Sequence, residues 1–246
     1  GIVMAPIASC PSPNFDSRRC PVSLLILHYT NMPSAEQALA RLCDPASKVS
    51  AHYLIDRQGQ ITQMVDEGAR AWHAGVAHWA GLDDVNSASI GIELDHVGHV
   101  DGHMAAYPPL QMAALVDLSR DIISRHPIAP AGVLGHSDVA PMRKIDPGEA
   151  LDWRQLAAQG VGLWADNVPV ENVDTLTLNT EGPAVAALQK TLAAYGYGVV
   201  QDGVYGPQTQ AVVRAFQRHF RAQKIDGAAD GQTQSLIYAL CRLAVS

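Results

Sequence analysis

The chain has 246 residues, 48% apolar and 17% charged, with a formal net charge of −7 at neutral pH. This balance suits a folded chain with one sizeable core or two smaller ones and excludes a disordered one. No apolar run reaches the roughly 18–20 residues that cross a bilayer. The charge divides into +2 over residues 175–246 and −9 over the rest, without the clustered Lys and Arg that nucleic acid requires.

The first residues read as an irregular lead-in. If Met4 is the natural initiator, no leader precedes the chain and a cytoplasmic protein is expected; a mature chain whose leader was removed would instead belong to the cell envelope. The cysteines (Cys10, Cys20, Cys43, Cys241) are widely spaced with no CxxC, so free thiols are expected rather than a disulfide framework. "VSLLILHYT" (22–30) is a short apolar run that predicts a buried strand ending at His28. "SAEQALARLCD" follows with a Ser cap and helical spacing through Leu39 and Leu42. "AHYLIDRQGQITQMV" reads as a hairpin around a Gly-containing turn, and "ASIGIEL" (88–94) as a second buried strand, ending at Glu93.

"YPPLQMAALVDLSRDIISRH" predicts an amphipathic helix with Pro at its start and Leu115, Leu118 and Ile122 on one face. "GVLGHSD" returns as a strand and leads into "GHSDVAPMRKIDPG" (135–148), which Gly and Pro mark as a loop. Interleaved strands and helices predict an α/β region, residues 1–164, with a linker over 165–179. Beyond it "DGVYGPQTQAVVRAF" (202–216) aligns without gaps on "DGAADGQTQSLIYAL" (226–240). With "PAVAALQKTLAAYGY" before them, these segments predict a small three-helix domain over 180–246.

His28 and His136 both follow short apolar runs, where side chains emerge from a sheet. A catalytic zinc keeps three protein ligands and leaves a position for water. His28, His136 and Asp146 would form such a set, leaving one positive charge on the metal to activate water and polarise a carbonyl. Glu93 would then handle protons. Lys144, two residues before Asp146, would point the same way in an extended loop and stabilise an oxyanion. His78, His96, His99, His103, His126 and His219 are read as structural or exposed.

"LLILHYT", "VSAHYLID", "RAWHAG", "SIGIEL" and "GHSDVAPMRKIDPG" occur in this order. Together they resemble the AmpD-like N-acetylmuramoyl-L-alanine amidases, relatives of phage T7 lysozyme and the peptidoglycan recognition proteins. The resemblance implies a central mixed β-sheet flanked by helices, with zinc in an open cleft. It places zinc ligands at His28, His136 and Asp146, the catalytic glutamate at Glu93 and the oxyanion lysine at Lys144. It also implies a peptidoglycan or muropeptide substrate, cut between N-acetylmuramic acid and L-alanine. Tyr29, Trp72 and His73 are expected to line the cleft.

Ala51 stands where some relatives carry a tyrosine, so no tyrosine is assigned to the chemistry. "VAHWAGLDDVNSAS" after "WHAG" is acidic where AmpD is basic, which leaves peptide specificity open. Residues 180–246 resemble the type 1 peptidoglycan-binding domain through "DGVYGPQTQAVVRAFQ". Two other functions stay open at this point: a non-catalytic peptidoglycan recognition protein, and a zinc peptidase cutting within the stem peptide.

Overall fold

The computed structural model describes residues 4–246; residues 1–3, at the start of the expected catalytic region, lie outside the described residues. The chain opens with β1 (Ala8–Ser9), β2 (Phe15–Ser17), β3 (Leu24–Tyr29), α1 (Ala35–Leu42), β4 (Tyr53–Ile55), β5 (Ile61–Gln63) and β6 (Ala69–Ala71). A short helical turn α2 (Val85–Ala88) leads to β7 (Ser89–Leu94), then the hairpin β8 (His99–Val100) and β9 (His103–Met104) and the long helix α3 (Pro109–Arg125). β10 (Val133–Gly135), α4 (His136–Val139) and α5 (Trp153–Ala158) follow. Three helices complete the chain: α6 (Pro183–Tyr195), α7 (Pro207–Phe220) and α8 (Gly231–Ala244).

Six strands make one mixed sheet in the order β1-β5-β4-β7-β3-β10. Every neighbouring pair is parallel except the β4–β5 hairpin. Parallel strands covered on both faces read as continuous apolar runs, which is why "LLIL" shows no alternation in sequence. In space it alternates. Leu25 and Leu27 pack with Leu115, Leu118 and Ile122 of α3. Leu24 and Ile26 face the other way, into a core that they share with Val212, Phe216 and Ile237 of the C-terminal helices. One face of the sheet and the C-terminal helices therefore contribute to a shared apolar cluster.

Residues 165–179, read as a linker, hold no helix but do not hang free. Leu176 is buried and pairs through a β-bridge with Ala229, and Glu181 bridges to Val204. The helical repeat also has a physical explanation. Gln189 of α6 and Gln217 of α7 are fully buried, and each clamps the Asp-Gly turn that follows its helix. Gln189 Nε2 donates to Asp202 Oδ1, Val204 O and Thr209 Oγ1, while its Oε1 accepts from Gly203 N at 2.8 Å. Gln217 repeats the pattern on Asp226 Oδ1, Ala228 O, Thr233 Oγ1 and Gly227 N. Gly203 and Gly227 sit at φ +73° and +74°, a region that L side chains avoid. The Asp-Gly and Thr of the repeat are thus parts of a turn clamp.

Among the described residues no helix is long and apolar enough to cross a membrane. All four cysteines are free thiols, although Cys10 Sγ lies 3.4 Å from Cys43 Sγ.

Candidate metal centre and active-site cleft

The sheet register lines up the central residues. β3 and β7 pair in parallel with His28 opposite Glu93, and β10 ends with Gly135 opposite Leu27. His28, Glu93 and His136 therefore occupy one row at the carboxyl ends of three adjacent strands, where open α/β sheets form their ligand crevices. "SIGIEL" has two different faces. Ile90, Ile92 and Leu94 enter the α3 core, which puts Ser89, Gly91 and Glu93 on the site face. The small residues there make room: a Cβ at Gly91 would lie 2.6 Å from the His73 ring.

His136 does not lie on a loop. It opens the helical turn α4, and only the stretch after Val139 is irregular. Glycine spacing decides how close that stretch approaches, since a Cβ on Gly135 would meet Pro147 Cδ at 2.7 Å. Asp146 consequently folds back onto α4, with its carbonyl accepting from Ser137 N. Asp146 is buried and Lys144 is exposed at the rim, yet both border the cleft.

Three ligand atoms converge. His28 Nδ1 lies 3.0 Å from His136 Nδ1 and 3.0 Å from Asp146 Oδ2, and His136 Nδ1 lies 3.1 Å from the same oxygen. Their outer partners fix the protons. His136 Nε2 faces Ala74 O at 2.9 Å, and a carbonyl only accepts, so Nε2 carries the hydrogen and Nδ1 a lone pair. Ser89 Oγ gives its single hydrogen to Val85 O at 2.6 Å and therefore accepts from His73 Nε2. His73 Nδ1 is then the acceptor for His28 Nε2 at 2.9 Å, which leaves a lone pair on His28 Nδ1 as well.

Burial, followed by the neighbouring His136, pushes His28 down to about 4, so it stays neutral. Burial and then His28 hold His73 well below its ordinary range. Asp146, which burial alone would raise, is held well below the usual carboxylate range by its place beside the two imidazoles and stays ionised. Two imidazole lone pairs and one carboxylate thus face each other with no proton between them. That set repels itself unless a cation completes it, so the donor chemistry fits a metal ion.

Glu93 lies beside this group. Its Oε2 is buried with no hydrogen-bond partner, and burial together with Asp146 raises its pKa well above normal. Tyr29 borders the cleft half-buried, its phenol pushed up to about 12 by burial and by Asp146. Trp72 also lines the cleft, its backbone N–H held by Ser50 Oγ at 2.9 Å. His73 borders the cleft too, but both ring nitrogens are committed, so it orients His28 from behind. Asn86 Oδ1 supports that arrangement by accepting from the backbone N–H groups of His73 and Ala74.

The cleft has a volume of about 660 Å³. Arg41, from the last turn of α1, and Arg143, from the segment before Asp146, add positive charge at its edge. Neither is apparent from the sequence, because each lies far along the chain from the acidic segment after "WHAG". Arg143 also binds the carbonyls of Ala74 and Val76, which ties the "WHAG" segment to the site.

Fold and site together define a hydrolase-type cleft with a candidate metal centre at the ends of parallel strands. Residues 18–149 match the family model described as N-acetylmuramoyl-L-alanine amidase, and residues 181–237 match a peptidoglycan binding domain. The chain is 38% identical over 240 residues to N-acetylmuramoyl-L-alanine amidase AmiD of Escherichia coli K12, covering 89% of this chain and 82% of that protein. The solved complex of that AmiD with anhydro-N-acetylmuramic acid-L-Ala-D-gamma-Glu-L-Lys matches with TM-score 0.80, over 90% of this chain and 89% of the other. AmpDh3 from Pseudomonas aeruginosa, in complex with anhydromuramic pentapeptide, matches at 34% identity and TM-score 0.79, over 90% and 92% of the two chains. The chain belongs to the N-acetylmuramoyl-L-alanine amidase family, and it is an amidase of that class.

Proposed function

We propose that His28, His136 and Asp146 hold a zinc ion, and that Glu93 and Lys144 act on a muramoyl–alanine amide bound in the cleft. The observation that carries this reading is the triangle of proton-free ligand atoms, 3.0–3.1 Å on a side, next to a buried carboxyl without a partner. A four-coordinate zinc with bonds of about 2.0–2.1 Å spaces its ligand atoms roughly 3.3 Å apart, close to what is present. When bound, the zinc supplies Lewis-acid activation of water and of the amide carbonyl.

The side chains carry the remaining work. Glu93 accepts a proton from the attacking water and delivers it to the leaving nitrogen of L-alanine, so the amide C–N bond breaks as a C–O bond forms. Its raised pKa suits both roles, because a carboxyl that protonates readily also binds the transferred proton long enough to pass it on. Lys144, which forms no salt bridge among the described residues, stands free to stabilise the developing oxyanion. Tyr29 and Trp72 form walls for the muramyl peptide, and Arg41 and Arg143 provide charge for its carboxylates.

We infer a soluble muramyl peptide as the preferred substrate, in wall recycling; the cleft volume is within the few-hundred-Å³ range of pockets that enclose one small ligand. Incubation with anhydromuramyl peptide and with intact wall, with and without a chelator, tests the reading by mass spectrometry. Free peptides beginning at L-alanine are expected, more from the fragment than from the wall, abolished by chelation and restored by zinc. Muramyl-alanine products would mean peptidase chemistry, and chelator-insensitive cleavage would remove the metal from the reaction.

A further inference from the structure

The C-terminal helices reach the metal centre through two adjacent residues of α7. His219 Nδ1 donates to Asp138 Oδ2 at 2.8 Å, and its ring stacks on Trp153 with centroids 3.7 Å apart. Asp138 is fully buried and lies two residues after His136 on the same helical turn. Its other oxygen accepts from Tyr197 Oη at 2.7 Å, and Gly135 N completes the set at 2.8 Å. Two of the three donors on this carboxylate thus come from the C-terminal helices and the residues joining them. Next to His219, the Arg218 guanidinium lies 3.8 Å from Glu149, three residues after Asp146. Glu149 also accepts from His99 Nε2, whose ring meets the Tyr29 hydroxyl at 3.5 Å. α7 therefore binds the turn that carries His136 and brings Arg218 close to the segment that follows Asp146.

The contact is built at close range. Ala80 N donates to Gly196 O at 2.8 Å, and a Cβ on Gly196 would lie 2.4 Å from the Trp79 ring. Tyr197 packs edge-on to Trp79 with centroids 4.8 Å apart. Losing the Tyr197 hydroxyl leaves the buried Oδ1 unpaired, and losing His219 leaves Oδ2 with Gly135 N alone; the cheapest relief in either case is a shift of the four-residue turn that carries the carboxylate. Such a shift moves His136.

We propose that Tyr197 and His219 are positioning residues for the metal ligand His136, so that the C-terminal helices form part of the active-site scaffold. This rests on the reading of His28, His136 and Asp146 as a metal site. The full-length protein is tested as Tyr197→Phe, His219→Phe and His219→Asn, the last keeping an N–H donor near the position of Nδ1. Zinc affinity is measured by competition with a chromophoric chelator, site geometry by the absorption spectrum of the cobalt-substituted protein, and turnover on a muramyl peptide.

Both Phe variants are expected to bind zinc roughly 10–100-fold more weakly, with an altered cobalt spectrum. Their kcat should fall while KM stays within about twofold, and His219→Asn should recover most of the loss. Phe variants that melt lower yet keep wild-type zinc affinity, cobalt spectrum and kcat would reduce the contact to stability alone and overturn the proposal. If His219→Phe does not fold, Tyr197→Phe, which removes a single hydroxyl, decides the matter. A wild-type protein that binds no metal would instead overturn the underlying reading of the site.

Discussion

Two buried polar clusters in this molecule invite comparison. Around Gln189 and Gln217 every side-chain polar atom has a partner, and the same bonds occur twice, 24 residues apart at the turn glycines Gly203 and Gly227. Around His28 three lone pairs converge without a proton, and Glu93 Oε2 has no partner. Both clusters are paid for by the surrounding core. A satisfied cluster closes a turn and specifies the fold. An unsatisfied one holds ligand capacity in reserve, which is where function departs from the rule that buried polar groups are paired.

Breaking the unsatisfied cluster should have the largest effect. His136→Ala removes one of the three converging ligand atoms; bound zinc should be lost and turnover should fall below about one-thousandth, read by metal analysis and product formation. Next comes Glu93→Gln, which keeps the shape and removes the base. Zinc affinity should persist while kcat falls roughly 10²–10⁴-fold, and undiminished turnover would remove Glu93 from the mechanism.

The satisfied cluster should answer in stability only. Gln189→Leu leaves Gly203 N and Thr209 Oγ1 without their partner, and a denaturant titration should show a loss of roughly 2–3 kcal/mol with zinc affinity of the folded protein unchanged. Altered zinc affinity would blur the contrast between the two clusters.

The smallest effect is expected at Asp84, the N-cap of α2, which holds the turn carrying Asn86 behind His73. Partial burial raises this carboxyl, but the Ser87 hydroxyl and N–H and Arg70 outweigh it and bring it down to about 2. A depressed pKa stabilises the fold fully above the unfolded value of about 3.9, and the contribution disappears as pH falls toward the folded value. Asp84→Ala should therefore cost about 1 kcal/mol at pH 7, with the difference from wild type shrinking between pH about 4 and 2. A constant difference across that window would exclude a charge effect.

Much of this was legible in sequence wherever a residue's role follows from its own neighbours. Apolar runs located β3 and β7, the Ser34 cap located α1, and His28 and Glu93 follow from where those strands end. Short elements were not legible. β1 and β6 are two and three residues long, and two or three residues carry no measurable period. α4 was hidden because Gly135 and the prolines around it suggest a loop, while the turn is stabilised by Asp138 accepting from Gly135 N. His219 looked structural, and its partner, 81 residues earlier in the chain, is invisible to any local pattern. His73 was legible as a site residue but not as a support, since that depends on Gly91 leaving space for its ring.

The face of β3 formed by Leu24 and Ile26 has a mechanical consequence, because it belongs to the same apolar cluster as the C-terminal helices. A flexibly leashed accessory module searches a volume around its enzyme and raises local concentration according to leash length. A module seated in the same core has no such volume to search. Anything resting on its outer surface is offered to the cleft at one distance and one angle, as on a ruler.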